Sequence, residues 1–546
     1  MSNNNSFKKK ISIIFIFISY FLIGASVFDD YGINWDEQAS RNYGFINGDY
    51  ILEKILPLET YDNIYKKITK SKFEDKIQEK KPPKLTDKSF TERAYGVSFE
   101  LPSAVLETIL NINEKNDVYK FRHLLVFLVF FISLIFFYKI CLFITKKEIT
   151  SILFTCLIFL HPRIFSDAFY NSKDLIFLSY TIVSMYFGLK FINKNSFKKI
   201  FIFSFTTALA FSLKIIGIFI LYSILMIFLF NKNYKLRTKI INIILCSSLT
   251  IIFSYILWPY LWENPIQNFI LAKEIFTNYS WMSEIPFGGK EIKSNNLPWN
   301  YIPLFFIITT PIFILCTILI GLSLLIFQLI NFKDKKNYNV LITNFFLSQI
   351  FLIPLIFSIL NKSTLYDGWR HFFFMYPILL IITLNSLNNS IVFHVKKYKN
   401  LFIIFLIIGS MFQIFWNYKN HPFQNSYFNK LFFENPNELF ESDYWGISNK
   451  YLIDKLVNYE NSGKIYYKYE TSNFKLSLDI LDKDTKERFI KYDGSQNIDY
   501  YYLFILKRFK NFNTSIFEEL GKNNKTISEV IVNGVVINGL YKININ

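Results

Sequence analysis

The sequence predicts a mainly α-helical, polytopic membrane protein with about eleven transmembrane helices. Of its 546 residues, 52% are hydrophobic. They concentrate in runs of about 18–22 residues, the length that crosses a hydrocarbon core. The net charge is +18, and its Lys and Arg residues form short clusters between the apolar runs. That placement is typical of the positive-inside pattern and argues against a nucleic-acid-binding surface.

Run length places the individual spans. The stretch 200–230 is divided in two, because Lys214, followed by Gly217, would be costly in the middle of one long helix. The predicted spans are 11–28, 122–144, 149–165, 175–192, 199–213, 216–230, 240–258, 302–331, 340–360, 371–392 and 401–418.

The charge of the connections predicts the orientation. Three lysines before the first span place the N-terminus in the cytoplasm. The segments then expected inside hold 18 Lys and Arg residues against two acidic residues, Glu148 and Asp334. These segments are 7–10, 145–148, 193–199, 231–239, 332–337 and 394–399. We expect a multi-pass protein of the bacterial inner membrane whose first span is retained, since no small-residue cleavage pattern follows it.

Two long polar segments lie on the outer side. Residues 29–120, within a transmembrane domain of residues 1–418, form a first loop expected to carry amphipathic helices on the membrane surface. This loop contains the Lys/Glu-rich stretch 65–81 and a Pro82-Pro83 break. Residues 419–546 predict a small extracytoplasmic α/β domain. Its strands are expected at 463–469, 488–492 and 500–508, with a hairpin over 530–537 that turns at Asn533-Gly534.

The four cysteines are Cys141, Cys156, Cys246 and Cys316. All lie within or at the ends of apolar runs, without the spacing of a metal or redox motif. We expect them to be packing residues rather than disulfide partners.

On this topology, the outer connections carry compact clusters of acids, histidines, arginines and aromatic residues. The first is Asn34-Trp35-Asp36-Glu37, directly after the first span. The others are 161–174, which begins His161-Pro162-Arg163 and ends at Asp174; Lys214; 258–265, with Trp258 and Trp262; Tyr366-Asp367-Gly368-Trp369-Arg370-His371; His421-Pro422-Phe423-Gln424; and Asp443-Tyr444-Trp445-Gly446.

These motifs resemble the C superfamily of membrane glycosyltransferases (GT-C), over most of residues 11–446. The Asp-Glu pair after the first span and the Asp that opens the fourth are similar to the group around protein O-mannosyltransferases and the aminoarabinose transferase. The motifs at 366–371 and 443–446 resemble a bacterial branch of that group. The resemblance implies an inverting enzyme that transfers a sugar from a polyprenyl-phosphate carrier to a lipid, glycan or protein acceptor at the outer face of the membrane.

The resemblance also implies roles for individual residues. Asp36 matches the catalytic base, Glu37 its supporting neighbour and Asp174 the second acid. Because the leaving group is a phosphate, cations are needed to stabilise it, and Lys214, Arg370 and Arg163 are the candidates. Further candidates for substrate contact are His161, Tyr366, Asp367, His371 and Trp262.

Each assignment has a structural alternative. Asp36 and Asp174 are also placed to cap the helices that follow them. The three cations are also placed to snorkel to the membrane interface, and the aromatic residues of 258–262 are typical of an interfacial belt. His161, His371 and His421 could join acids at a divalent metal, but no ligand spacing supports such a site, and the histidines are also typical of a membrane interface. We therefore expect no cofactor, with a divalent metal as the open alternative.

The expected partners are a polyprenyl-phosphate-linked sugar and membrane lipids, with no nucleic acid. A glycolipid transporter is the alternative from another class, and an inactive cell-envelope scaffold is a third. A transporter would place ionisable residues near the bilayer midplane, whereas here they lie at the outer boundary, which favours the enzyme.

Overall fold

The computed structural model describes residues 2–69, 71–72, 84–87, 91–277, 283–331, 335–390, 392–471, 473–506 and 524–545. Pro82-Pro83 and most of the Lys/Glu-rich stretch therefore lie outside the described residues. The first eleven helices are α1 (Ser2–Val27), α2 (Glu37–Ile55), α3 (Leu58–Thr69), α4 (Glu100–Ile109), α5 (Lys115–Thr145), α6 (Glu148–Phe159), α7 (Pro162–Tyr170), α8 (Asp174–Asn193), α9 (Phe197–Leu213), α10 (Ile218–Phe230) and α11 (Leu236–Ile256).

The second half of the chain mixes helices with short strands. Its helices are α12 (Pro265–Thr277), α13 (Tyr301–Thr309), α14 (Ile312–Ile330), α15 (Lys335–Leu360), α16 (Met375–Asn388), α17 (Lys396–Lys419), α18 (Ser448–Tyr459), α19 (Phe474–Leu478) and α20 (Lys483–Glu487). The strands are β1 (Glu284–Phe287), β2 (Lys290–Lys293), β3 (Ile465–Tyr469), β4 (Phe489–Lys491), β5 (Tyr500–Leu506), β6 (Asn524–Val532) and β7 (Val535–Asn544).

Among the described residues, six helices are long and apolar enough to cross a membrane: α5, α8, α11, α14, α15 over Tyr338–Leu360, and α17. A seventh span forms if α6 and α7, which meet at a bend of 67°, count as one. Shorter apolar helices cover Ser12–Val27, Ile215–Phe230 and α16. The chain is a multi-pass membrane protein. The count of eleven spans stays a prediction.

Two breaks in the apolar runs shape the outer ends of the helices. The predicted break at Lys214 is confirmed, since Lys214 has an extended backbone between α9 and a 3-10 turn at Ile215–Gly217. A Cβ at Gly217 would lie 2.7 Å from the backbone nitrogen of Phe211, so only glycine fits this close turn. The break at Pro311 was missed: it divides the expected span 302–331 into α13 and α14, because proline lacks the N–H that a continuous helix needs.

Three helices, α2, α3 and α4, form in the segment expected as the first outer loop. α2 is not the expected amphipathic surface helix, since buried residues such as Arg41, Phe45 and Asn47 lie around it, and the place of these helices on the membrane surface stays a prediction. The predicted small C-terminal sheet domain is also present. Its strands lie in the order β4-β3-β5-β7-β6, with β3 parallel to β4 and β5, and with β7 antiparallel to β5 and β6. The turn at Asn533-Gly534 joins β6 to β7, and both residues have positive φ. A hairpin of β1 and β2 was not anticipated.

The helical core is rich in stacked aromatic rings. Phe127 on α5 stacks on Phe169 of α7 with ring centroids 5.3 Å apart, and Phe169 stacks in turn on Tyr31 at 4.6 Å. This column joins the end of α1 to α5 and α7, and so fixes the start of the first outer loop against the bundle. The four cysteines are free thiols, as expected.

Candidate active site

Asp36 lies at the start of α2, and its carboxylate does not cap the helix. The side-chain oxygen of Asn34 accepts hydrogen bonds from the backbone N–H groups of Asp36, at 2.7 Å, and Glu37, at 3.0 Å. Asn34 therefore does the capping, and the capping alternative for Asp36 is wrong, since its side chain makes no cap hydrogen bond. The half-buried carboxylate of Asp36 makes no hydrogen bond or ion pair with any residue that the structure describes.

Glu37 points elsewhere and is fully engaged. One carboxylate oxygen lies 2.9 Å from Nε2 of His123, and the other accepts the backbone N–H of Asn34 at 2.8 Å. Both Glu37 and His123 are buried, at 5% and 2% exposure. Both adjacent acids line the same cleft, but their environments differ: Asp36 is half-buried and keeps an unpaired carboxylate, whereas Glu37 is buried and paired with His123.

Asp174 is the centre of a cluster of basic residues. One carboxylate oxygen pairs with Nζ of Lys214 and lies 3.7 Å from Nδ1 of His371, and the other accepts from Nη1 of Arg370 at 2.9 Å. Asn171 takes the capping position here, accepting the backbone N–H of Asp174 at 2.8 Å. The structure therefore brings to Asp174 three residues that lie 40 to 197 positions after it in the sequence.

Aromatic rings enclose Arg370. Its guanidinium carbon lies 4.4 Å from the ring centroid of Trp445 and 4.6 Å from that of Tyr366. Tyr444 adds a third ring at 5.6 Å. Two buried nitrogens of Arg370, Nε and Nη2, have no hydrogen-bond partner, although Nε lies 3.5 Å from a carboxylate oxygen of Asp367, and Nε2 of His371 has no partner either. The cluster thus contains strong hydrogen-bonding groups that the protein itself leaves unsatisfied, as expected of a site for a polar ligand.

The charge of this cluster follows from burial. Burial raises the pKa of Asp367 well above its usual range, outweighing the nearby Arg370. Burial together with Arg370 lowers the pKa of His371, which precedes α16, to about 3. At neutral pH His371 is then uncharged, and Asp174 faces two cations, Lys214 and Arg370. Lys214 and Arg370 thus give the cluster two positive charges with which an anion can pair, beside the acids Asp174, Asp367 and the buried Asp167.

The motif at 366–371 is built around Arg370. Asp367 and Gly368 both have positive φ, and the N–H of Gly368 donates to the Tyr301 hydroxyl at 3.0 Å. The buried Trp369 donates from Nε1 to Thr309 at 2.7 Å. These contacts anchor the loop to α13. The motif thereby holds Arg370 at a fixed position beside Asp174.

The motif at 443–446 is held in place by contacts of its own. The carboxylate of Asp443 accepts the backbone N–H groups of Ile447, at 3.0 Å, and Ser448, at 3.1 Å, at the start of α18. Gly446 has φ +66, and a Cβ there would lie 1.8 Å from the side-chain nitrogen of Asn473. These constraints fix the intervening Tyr444 and Trp445 over Arg370. Asp443 acts as a structural residue.

The Asp36 cleft adjoins the Asp174 cluster. A single cleft is lined by Asn34, Asp36, Glu37, Ser40, Tyr170, Asn171, Ser172, Lys173 and Trp445. Trp445 forms one wall of this cleft and also covers Arg370, and Asn171 donates to Asp174 at 3.2 Å. Trp35 donates to the carbonyl of Tyr444 at 3.0 Å. The unpaired carboxylate and the basic cluster therefore share walls.

Several other candidate residues lie apart from this cleft. Arg163 is buried against Phe428, with its guanidinium carbon 4.9 Å from the ring centroid. His161 is fully buried and lies edge-on to Trp369. Trp262 contacts Tyr50, which is thirteen residues beyond Glu37 along α2, a rise of about 20 Å. His421 lies 2.7 Å from Asp30. Arg163 also lies close to Gly368 and Asp367 of the 366–371 motif, whereas the contacts given for His161, Trp262 and His421 are with structural neighbours and not with Asp174.

Sequence reasoning missed the buried polar network behind the cleft. Glu107 on α4 bonds Arg41 of α2 at 2.8 Å and Arg122 of α5 at 3.4 Å, and Arg122 also bonds Glu100 at 2.8 Å. With His123, this network braces α2 against α5. One signal was available: Arg122 and His123 open an apolar run, where ionisable groups are costly unless paired.

Within the described residues, no three His, Cys, Asp or Glu side chains are grouped so that they could hold a metal ion. The absence of a metal requirement stays a prediction.

No protein-family profile and no curated protein matches the chain. Among solved structures, it is similar to ArnT from Cupriavidus metallidurans in the apo state, with 8% sequence identity, a TM-score of 0.50 and 98% of each chain covered. The chain shares the fold of ArnT. The structure of that protein bound to undecaprenyl phosphate has a TM-score of 0.45 and 8% identity, over 97% of each chain. At such low identity, the similarity establishes the fold alone.

Proposed function

We propose that this protein is an inverting glycosyltransferase that moves a sugar from a polyprenyl-phosphate carrier to an acceptor at the outer face of the inner membrane. The observation that carries the proposal is the half-buried, unpaired carboxylate of Asp36 in a cleft that adjoins a cation cluster with unsatisfied donors. The GT-C-like motifs and the ArnT-like fold support the same reaction class.

In the proposed reaction, Asp36 accepts the proton of the acceptor hydroxyl. The acceptor oxygen bonds to the anomeric carbon as the bond from that carbon to the phosphate oxygen breaks. The phosphate leaves with the bonding electron pair, on the face opposite the acceptor, so the configuration inverts. Lys214, whose side chain is 17% exposed, stabilises the negative charge of the departing phosphate directly, and the buried Arg370 adds a second positive charge.

The role of Asp174 differs from that of a second free acid. Because it is paired with Lys214 and Arg370, we infer that it positions these cations for the lipid phosphate. Phosphate oxygens would then compete with Asp174 for Lys214 and bond Nη2 of Arg370 and Nε2 of His371, which have no partner in the described part of the chain.

Asp174, Lys214 and Arg370 lie at helix ends, as expected of the enzyme, although Lys214 also lies at a break between two apolar helices, a feature that the transporter alternative shares. Asp174 opens α8, Lys214 lies between two helices, and Arg370 belongs to a 3-10 turn before α16. A transporter would need such groups within broken helices at the midplane. The sugar and the acceptor stay open.

Mass spectrometry of lipids that co-purify with the full-length protein tests the donor class. We expect polyprenyl phosphate or its glycosylated form to be enriched in wild-type protein and reduced in Lys214→Ala. Purified undecaprenyl phosphate, added to delipidated protein, serves as the binding probe. Recovery of ordinary phospholipids alone, with no binding of this probe, would contradict the proposal.

A further inference from the structure

A crevice lies at the end of the helical bundle opposite the Asp36 cleft. It is formed by the end of α5, the start of α6, the end of α16 and the start of α17, and its space is about 470 Å³, counting its open mouth. On the single helix α5, Thr145 lines this crevice and His123 contacts Glu37 at the cleft, a rise of about 33 Å between them. The crevice is therefore separate from the candidate active site.

The walls of the crevice are apolar. They include Leu153 of α6, Leu387 of α16 and Leu406 of α17. On α17 the apolar surface continues outward, since Leu401 and Ile404 are 55% and 51% exposed. Because α17 is long and apolar enough to cross a membrane, these exposed side chains face hydrocarbon. A lipid chain can therefore reach the crevice from the bilayer.

The mouth of the crevice is basic. Lys147, His394 and Lys399 line it, and none of the lining residues is acidic. Lys147 and His394 are exposed, and Lys399 is half-buried. Among the residues that the structure describes, the side chains of these three have no hydrogen-bond or ion-pair partner. Their hydrogen-bond donors are therefore available to an anion.

Two helices also begin at this mouth. α6 begins at Glu148 and α17 at Lys396, and no side chain caps either start with a hydrogen bond. Thr150 in the first turn of α6 and Lys399 in the first turn of α17 both line the crevice, which places both helix starts beside it. The first N–H groups of a helix carry the positive end of its dipole and favour a phosphate. The helix starts and the basic side chains thus select the same kind of ligand.

We propose that this crevice binds one anionic glycerophospholipid, with its headgroup phosphate between Lys147 and Lys399 and one acyl chain along the apolar walls. Basic pockets between transmembrane helices on the cytoplasmic side are typical sites for such headgroups. Both lysines belong to segments expected on that side, 145–148 and 394–399. A free phosphate would use the mouth but not the walls. A zwitterionic lipid would bring a cation to the same lysines, which weakens the attraction. The proposal does not depend on the proposed function.

Native mass spectrometry of delipidated full-length protein in detergent tests the site. The probes are dioleoyl-phosphatidylglycerol, dioleoyl-phosphatidylcholine and glycerol 3-phosphate, each titrated separately. We expect one molecule of phosphatidylglycerol to stay bound at a concentration at which the other two probes do not. Equal retention of phosphatidylcholine would overturn the choice of an anionic lipid. Binding of glycerol 3-phosphate as tight as that of phosphatidylglycerol would assign the site to a free anion and overturn the proposal.

The double variant Lys147→Gln/Lys399→Gln tests the basic mouth. A lysine beside an anionic headgroup is worth about fivefold in affinity, so the double variant should bind phosphatidylglycerol about 25-fold more weakly. The matched control is Lys198→Gln/Lys235→Gln, which removes two exposed lysines from the segments 193–199 and 231–239, outside the crevice. It should change the affinity by less than about twofold. Equal affinities in the two double variants would overturn the proposal.

Thr150→Phe tests the apolar walls without changing the charge. The added ring occupies space in the crevice, and the displacement of about two buried methylene groups of the lipid lowers its affinity about tenfold. The melting temperature of the lipid-free variant, compared with wild type, checks that the protein is folded. A folded variant that binds phosphatidylglycerol as the wild-type protein does would show that the lipid lies elsewhere.

Discussion

Asp36 and Asp174 occupy the same local setting and have opposite surroundings. Asn34, two residues before Asp36, accepts the backbone N–H groups of Asp36 and Glu37, and Asn171, three residues before Asp174, accepts the backbone N–H of Asp174. Neither carboxylate is therefore needed to cap its helix. The carboxylate of Asp174 is taken up by Lys214 and Arg370. That of Asp36 has no hydrogen-bond or ion-pair partner within the described part of the chain. The neighbouring asparagines cap both helices, so neither carboxylate has to. Whether a carboxylate stays unpaired then depends on cations that lie far away in the sequence.

The largest expected contrast is in stability. Asp174→Ala leaves Lys214 and Arg370 without their counter-charge and should cost about 3–5 kcal/mol of unfolding free energy, as for other broken buried pairs. Asp36→Ala removes no contact and should cost less than about 0.5 kcal/mol. Thermal unfolding of both variants in detergent compares them. Equal losses would erase the distinction between the two acids.

Loss of Lys214 should weaken donor binding. Removing a charge-assisted contact to the phosphate is worth about 1.5–3 kcal/mol, or about 10-fold to 150-fold in affinity for undecaprenyl phosphate. Lys290→Ala, on the exposed strand β2, is the control for a lost outer charge. Titration of each delipidated variant with the lipid measures the difference. Unchanged affinity in Lys214→Ala would make this lysine an interfacial cation.

The neutral His371 predicts a smaller, pH-dependent effect. Its pKa is about 3 in the folded protein, against an ordinary value of about 6.5 in the unfolded chain. As the pH falls below 6.5, the unfolded chain binds a proton that the folded protein does not, so stability falls by up to about 1.4 kcal/mol per pH unit. The melting temperature should fall less between pH 7 and pH 5 in His371→Gln than in the wild-type protein. A parallel decline in the two proteins would contradict the neutral assignment.

Trp262 should show the smallest effect. It contacts Tyr50 and donates to the carbonyl of Tyr255 at 2.8 Å, away from the cleft. Trp262→Ala should therefore change transfer by less than about twofold. A large loss of transfer rate with normal expression would contradict this prediction. It would mean that Trp262 contacts the substrate and that the substrate site extends along α2.

The sequence predicted features that depend on local pattern. The helix break at Lys214 follows from one charge and one glycine in an apolar run, and the β6–β7 hairpin follows from Asn533-Gly534. The break at Pro311 had a local signal that was outweighed by the apolar run around it. The pairing of Glu37 with His123 and of Arg41 with Glu107 joins residues 86 and 66 positions apart. Only the packed helices bring those together.

The motifs at 366–371 and 443–446 show the same limit. Their unusual composition marked them as important, but the sequence did not divide their residues by role. The structure assigns Trp369 and Asp443 to anchoring the loops, and it turns Tyr366, Tyr444 and Trp445 toward Arg370. Asp174 likewise looked like a free acid until its partners were known.

The transfer rate of Asp36→Asn tests the central claim most directly. Asparagine keeps the shape and the polarity of the side chain while removing the carboxylate charge. With a lipid-linked donor identified by co-purification, we expect transfer to fall about 100-fold or more while undecaprenyl phosphate binding and melting temperature stay at wild-type values. Asp36→Ala should match Asp36→Asn, and Asp36→Glu should lie between them and wild type. Near-wild-type transfer in Asp36→Asn would contradict the assignment of Asp36 as the base.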